Sequence, residues 1–452
     1  MVTLFDSLSQ QKKELVPIAP PRVSIYSCGP TVYARQHLGN MRPYVFADVL
    51  KRTLRLFGHE PRHVINITDV GHLTDDADQG DDKMELSAQQ SGRRAEDIAA
   101  HFTELFQRDL ALLSVQPPEV WAYASAHVPE QIAMVEKLEA RGLTYATPDG
   151  VYFDTSRAER YGRFRAAAAA TEVQERLVGA GAKRNDADFA LWKLSPRESR
   201  RQMEWPSPWG VGFPGWHIEC SAMASHHLGA QLDIHTGGVD HIPVHHENEL
   251  AQSEHALGVR PWVRYWVHSE WVVLNSEKIS KSRGGAPNLD DVRERGIAPL
   301  AYRLLLLGAR YRQRIDLSWQ SLAAAQRALT RIGQALQGAP REPPDADEPR
   351  WVAFRAALAD DLDTPRALAI LHESRRDARL LRAMTDALGL GAAVHALDEQ
   401  GDAALAPLLA EREDARRAGD FATADRLRDA IRRAGFEIRD TPAGARLVRG
   451  AK

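Results

Sequence analysis

The period of the apolar positions changes several times along the chain, and each change marks an element. Arg22-Val-Ser-Ile-Tyr-Ser27 is a short β-branched and aromatic run, broken by Cys28-Gly29-Pro30-Thr31. It predicts a strand ending in a turn. From Met41 to about Leu56, the residues Val45, Phe46, Val49, Leu50 and Leu54 recur at helical spacing. His63-Val-Ile-Asn-Ile-Thr68 predicts a second strand, ending at Asp69. This strand–helix–strand rhythm implies an α/β fold with a parallel sheet and crossover helices. Ligands of such sheets sit beyond the carboxyl ends of the strands. Leu232-Asp-Ile-His235 predicts a further strand, followed by a turn at Thr236-Gly237-Gly238. Between about 116 and 198 lies a stretch that reads as an insertion. It holds the turn Thr147-Pro-Asp-Gly150, the short strand Val151-Tyr-Phe153 and the alanine run from Ala166 to Ala170. Beyond Pro299 the pattern is helical almost to the end, with a Pro- and acid-rich linker at 338–349.

Length and composition narrow the class. The chain has 452 residues, too many for one compact domain, and a net charge of -3. Its 44% hydrophobic and 26% charged residues describe an ordinary globular protein. A near-neutral total excludes a histone-like basic protein, but a basic face can still hide in it. No run of 18 apolar residues is present, so no membrane span is expected. The start, Met1-Val-Thr-Leu-Phe-Asp6, has no basic segment followed by an apolar one, so a cytoplasmic protein is expected. There are only two cysteines, Cys28 and Cys220, about 190 residues apart. A disulfide framework is thereby excluded. Either they are two buried thiols or two thiolates meet on one metal.

Two segments carry candidate phosphate chemistry. His37-Leu-Gly-Asn40 opens the first helix. Gly39 would let a ligand approach the backbone, His37 and Asn40 can donate to phosphate oxygens, and the helix terminus adds partial positive charge. Lys278-Ile-Ser-Lys281-Ser282, followed by Arg283-Gly-Gly285, suits a polyphosphate clamp, although solvated basic loops are common. A strand–HLGN–helix near the start with KISKS some 240 residues later resembles the class I aminoacyl-tRNA synthetases. Asn40 stands where that superfamily usually has histidine, and it keeps a donor without the positive charge.

The cysteines refine the resemblance. Cys28 sits at a strand end, just before the first motif, and Cys220 lies in Pro214-Gly-Trp-His-Ile-Glu-Cys-Ser-Ala-Met223. His245 and Glu249, at i and i+4, face one side of a helix. Two Cys, a His and a Glu make a zinc shell, though His241 and His246 lie close enough to be mistaken for the imidazole ligand. These positions resemble the zinc ligands of the cysteinyl-tRNA synthetase family. So do Cys28-Gly-Pro-Thr-Val-Tyr33, Asn66-Ile-Thr-Asp69, Lys183-Arg-Asn185, Leu191-Trp-Lys193 and the ending Asp440-Thr-Pro-Ala-Gly444. The resemblance runs from about residue 1 to 447.

That resemblance implies a Rossmann-like parallel-sheet catalytic domain with a small insertion, then an all-α helical bundle and a short C-terminal anticodon-binding module. The implied division is 1–115 and 199–265 for the two catalytic halves, the second with the zinc site, and 116–198 for the insertion. Residues 266–320 would be the stem-contact region with the KISKS loop, 321–400 the bundle and 401–452 the anticodon module. It implies cysteine activation by ATP and transfer to tRNA(Cys), with one Zn2+ per chain on Cys28, Cys220, His245 and Glu249, and Mg2+ entering with ATP. The catalytic residues would be His37, Asn40, Lys278 and Lys281. ATP would meet Gly29, Thr31, His37, Gly39, Asn40, Gly237, Gly238, Asp240 and Lys281. L-cysteine would meet Cys28, Thr68, Trp216 and His235. A monomer, no membrane partner and no hydrolytic editing domain are implied as well. The Arg- and Asp-rich stretch from Leu405 to Arg439 would read the anticodon, with Leu447 near a position where the family has an aromatic. The rivals are a mycothiol-type cysteine ligase, which lacks the anticodon region, and a non-catalytic RNA- or zinc-binding paralogue.

Overall fold

The structure is a computed structural model. It describes residues 1–71, 83–168, 183–196, 201–274, 277–278, 286–337, 339–433, 436–441 and 444–449. Five parallel strands form the central sheet: β1 (Arg22–Ser27), β2 (Glu60–Ile67), β3 (Val120–Tyr123), β4 (Leu232–Gly238) and β5 (Val263–Ser269). Their spatial order is β5-β4-β1-β2-β3. Val23, Ile25, Val64, Ile65, Ile67, Ile234 and Val267 are buried, as expected for strands covered on both faces. The chain steps outward from β1 to β2 and β3, then returns to lay β4 beside β1. Connections leave β1 and β4 in opposite directions, so a crevice opens beyond their carboxyl ends.

Helices make the crossovers. α1 (Leu38–Leu56) joins β1 to β2 and buries Leu38, Met41, Val45, Val49, Leu50 and Leu54. It starts three residues before the apolar period does, because His37 caps it. α2 (Ala95–Leu112) leads toward β3, α3 (Val128–Ala140) follows β3, α4 (Trp216–Leu228) leads into β4, and α5 (Glu247–Leu257) joins β4 to β5. β3, inside the stretch read as an insertion, is an edge strand of the main sheet. Thr144–Thr147, Gly150–Phe153, Phe189–Leu194 and Gly212–Pro214 form a separate antiparallel sheet. Its Phe153, Leu191 and Trp192 share a core with Val135 and Leu138 of α3 and Ile218 and Ala222 of α4.

Two expectations change. Thr236-Gly237-Gly238 is not a turn but the end of β4, because β5 runs on and pairs His268 and Ser269 with the two glycines. The chain end is not helical throughout. Ala393–Arg417 and Phe421–Arg433 are helices, but Phe436–Thr441 and Gly444–Arg449 form an antiparallel hairpin. Before them, the helices Trp319–Leu336, Pro349–Ala359, Thr364–Glu373 and Ala378–Ala387 pack through Leu329, Ile332, Phe354, Leu371 and Met384 into the core that also holds α1.

Candidate functional site

The crevice between β1 and β4 gathers the residues that the sequence singles out. Cys28 follows β1, and its N–H donates to the Thr236 carbonyl of β4 at 3.2 Å. Gly29 has to be glycine: a Cβ there would lie 1.5 Å from the Asn66 carbonyl oxygen. Its N–H donates instead to the Asn66 Oδ1 at 2.7 Å. Cys220 lies in the second turn of α4 and is buried. After β4 the chain makes a wide turn over Ile242–His246 before α5 begins. This turn directs two successive imidazoles inward. Gly237 leaves them room, since a Cβ there would come within 2.8 Å of both His241 and His246.

The result is a buried donor cluster. His245 Nε2 lies 2.7 Å from Glu249 Oε1. His246 Nε2 lies 3.2 Å from Cys28 Sγ and 3.9 Å from Glu249 Oε1. One ligand atom each from Cys28, His245, His246 and Glu249 lies within 4.8 Å of the others. Cys220 is buried in the same cluster as Cys28, and its thiol interacts electrostatically with Cys28, Glu249 and His245. Three of the sequence-predicted donors, Cys28, His245 and Glu249, therefore fall within that distance, and the fourth place in the group is taken by His246, with Cys220 standing beside it. The signal for His246 was the doubled imidazole His245-His246, whose ring directions depend on a turn that spacing does not reveal.

A second layer of bonds orients these donors. His235 Nε2 lies 2.9 Å from Glu249 Oε2, and its ring stacks on Trp266 at 4.7 Å. His217 Nδ1 lies 3.0 Å from His245 Nδ1. His246 Nδ1 lies 2.7 Å from His268 Nε2. Trp216 stacks on His245 at 4.4 Å. Thr68, buried at the end of β2, donates to Glu219 Oε2 at 3.1 Å. Burial, reinforced by the negative charge of Cys220, pushes Glu219 well above the usual carboxylate range. The hydrogen bond with Cys28 and the charge of His245 draw Cys220 down to about 6 against its burial. Burial opposes the charged form of His245, but Glu249 and Cys220 outweigh it and lift His245 to about 10.

The phosphate candidates lie at the same end of the sheet. His37 Nδ1 accepts from the Asn40 N–H at 3.3 Å, and Asn40 Oδ1 accepts from the His37 N–H at 3.2 Å. The two residues therefore cap α1 reciprocally. Gly39 sits in that first turn, and Thr31 bridges Thr68. Gly238 ends β4, and Asp240 is exposed with the Trp271 Nε1 donating to it at 3.4 Å. Lys278 lies in a short strand paired with Val273. Lys281 lies outside the described residues.

The donor chemistry fits zinc: sulfur, imidazole and carboxylate donors converge in a buried cluster. Residues 14–327 match the family described as tRNA synthetases class I (C) catalytic domain, and residues 398–446 match the Cysteinyl-tRNA ligase anticodon binding domain. Cysteine–tRNA ligase 1 of Burkholderia lata is 45% identical over 460 residues, covering 99% of this chain and 96% of the relative. The cysteine–tRNA ligase of Novosphingobium aromaticivorans is 42% identical over 470 residues, covering 97% and 94%. Among solved structures, methionyl-tRNA synthetase of Mycobacterium tuberculosis bound by methionyl-adenylate aligns with a TM-score of 0.55 at 13% identity, over 85% of this chain and 90% of that one. The LeuRS–tRNA–LeuAMS ternary complex of Agrobacterium radiobacter aligns at 0.56 and 12%, over 86% of each chain. These structures share the parallel-sheet fold. With both family matches in place and near full-length relatives at this identity, the chain belongs to the cysteinyl-tRNA synthetase family of class I aminoacyl-tRNA synthetases.

Proposed function

We propose that this chain ligates L-cysteine to tRNA(Cys) in two steps. The cysteine carboxylate attacks the α-phosphorus of ATP, which enters with Mg2+, and pyrophosphate leaves. The cysteinyl group then passes from the adenylate to a 3′-terminal ribose hydroxyl of the tRNA, releasing AMP. No protein nucleophile is required, so the residues act by positioning and by charge. The observation that supports the reading is the buried convergence of Cys28, His245, His246 and Glu249 beside the β1–β4 crevice, with Cys220, distant in sequence, packed in the same cluster as Cys28.

Cys28, Cys220, His245 and Glu249 would hold one Zn2+, with His246 as the competing imidazole. When bound, zinc favours a thiolate over a neutral hydroxyl, which supplies discrimination between cysteine and serine that shape alone supplies poorly. His235 orients Glu249. Trp216 fixes the ring of His245 and, with Thr68, would line the amino-acid pocket. Gly29, Thr31, Gly39, Gly237, Gly238 and Asp240 would border the nucleotide, with His37 and Asn40 at its phosphates. Lys278 and Lys281 would bring positive charge to the α-phosphate. The domain division given by the sequence, a monomeric state and a cytoplasmic location belong to the same proposal. No described helix is long and apolar enough to cross a membrane.

The deciding experiment is amino-acid-dependent ATP–pyrophosphate exchange with cysteine and serine side by side, followed by charging of purified tRNA(Cys). Cysteine-dependent exchange and charging are expected, with serine far weaker. Equal exchange with both amino acids would remove the proposed basis of selection. Exchange without charging would favour a ligase with another acceptor.

A further inference from the structure

A second set of imidazoles converges away from the crevice. His226 and His227 lie at the carboxyl end of α4, and His127 stands just before α3. The ring centroids are 5.3, 4.9 and 4.8 Å apart. His127 Nε2 and His227 Nε2 lie 2.9 Å from each other, and one ring nitrogen from each of the three lies within 4.8 Å of the others. His127 Nδ1 donates to the Tyr123 carbonyl at 2.7 Å. A carbonyl only accepts, so in the neutral ring this bond leaves a lone pair on Nε2, on the side of His227.

A carboxylate lies beside the set. Glu130, in the first turn of α3, places Oε1 3.4 Å from His226 Nδ1. Its Oε2 is buried and has no hydrogen-bond partner among the described residues. A buried carboxylate oxygen left unsatisfied beside three imidazoles calls for a cation. Burial, then the charges of His127, His226 and Arg62, push His227 down to about 4.

We propose that His127, His226 and His227, with Glu130 as the fourth donor, form a second binding site for a divalent transition ion of the zinc–nickel type. Nitrogen-rich donors with one carboxylate select such ions over calcium or magnesium. The ion would displace the proton shared between His127 and His227 and pin the end of α4 to the start of α3. Cys220 lies six residues before His226 on the same helix, about 9 Å along its axis at 1.5 Å per residue. The site therefore braces the helix that carries one sulfur of the cysteine-binding cluster, while sharing no residue with that cluster.

The test is equilibrium dialysis of the full-length protein against Zn2+ and, separately, Ni2+ at pH 7.5, compared with His127→Gln/His227→Gln and with His226→Gln. His226 is exposed, so its replacement is compatible with folding. Each is also assayed for cysteine-dependent pyrophosphate exchange, which should not change. Wild type is expected to bind one ion per chain more than the double variant. His226→Gln should weaken that additional ion by about ten-fold or more. Added Ni2+ should raise the Tm of wild type but not of the double variant. The proposal is overturned if all three proteins bind the same number of ions with the same affinity. It is equally overturned if wild type binds only the ion that Cys28→Ser removes. Because the two metal sites share no ligand, loss of one leaves the other measurable.

Discussion

At the scale of single residues, the crevice depends on one missing side chain. Gly29→Ala would press a methyl group against the backbone carbonyl of Asn66, which cannot rotate away as a side chain could. Either β1 and β2 part or Cys28 moves. The expected loss is on the order of 3 kcal/mol or more, in the range reserved for backbone and packing violations. It would be measured as a lower urea midpoint together with reduced zinc content; wild-type values for both would mean that the turn relaxes freely. The metal ligands permit a sharper comparison. Cys220→Ser should lower bound zinc and cysteine-dependent exchange together, whereas His246→Gln should retain both, if Cys220 rather than His246 completes the set with Cys28, His245 and Glu249. The reverse result would move the ligand from sulfur to His246, whose Nε2 lies 3.2 Å from Cys28 Sγ. The sequence brought Cys28 and Cys220 under suspicion because two cysteines in 452 residues leave little choice. It could not rank His245 against His246, since adjacent residues diverge by about 100° on a regular helix and only the wide turn brings both inward.

At the scale of elements, α1 is the keystone, and its position was legible from its 3.6-residue period. Its fastenings were not, because they are polar and reach elements far away in sequence. Arg42 donates to the carbonyls of Glu270, Trp271, Arg310 and Gln313. One turn and a half later, Asp48 meets Arg303 at 2.5 Å, with both side chains buried. Arg303 also donates to the carbonyls of Leu113 and Leu388, so it ties α1 to the helical region. Arg303→Met would leave Asp48 buried with Arg52 as its remaining ion-pair partner, at a cost of about 3–5 kcal/mol, the range for breaking a buried pair from one side. Burial alone would raise the Asp48 carboxyl, but Arg303, Arg52 and the Gln116 amide outweigh it and hold the group below its usual range. A depressed folded value means that the contribution is complete above the unfolded value near 3.9 and fades as pH falls through the folded value. Urea unfolding of wild type and Asp48→Asn should therefore show a constant difference between pH 5 and 7 that shrinks below about pH 4. A difference that persists undiminished at pH 3 would mean that the carboxylate charge is not what stabilises the junction.

At the scale of the whole molecule, the C-terminal unit is built differently from the rest. Leu405, Ile431 and Phe436 form a small core of their own, while the preceding helices share the large core with α1. The sequence announced this unit by its interleaved arginines and acids, yet concealed its hairpin. The alternation of Phe436 and Ile438 spans too few residues to stand out against the charged helical pattern before it. Separate cores predict separable functions. Arg417 and Arg428 are exposed, and among the described residues they pair locally within this unit, Arg417 with Asp414 and Arg428 with Asp425 at 3.1 Å. Exposed pairs of this kind stabilise by well under 1 kcal/mol, so replacing both arginines should leave the fold intact. If this surface meets tRNA, Arg417→Glu/Arg428→Glu should raise KM for tRNA(Cys) by about ten-fold at low salt. Each lost phosphate contact also removes about one unit from the salt dependence. Cysteine-dependent pyrophosphate exchange does not need tRNA and depends on the crevice between β1 and β4, far from these residues in the chain. It should therefore stay at the wild-type rate. A parallel loss of exchange would show that the two units communicate through the helices between them. Unchanged charging at every salt concentration would place the tRNA on another face of the C-terminal unit.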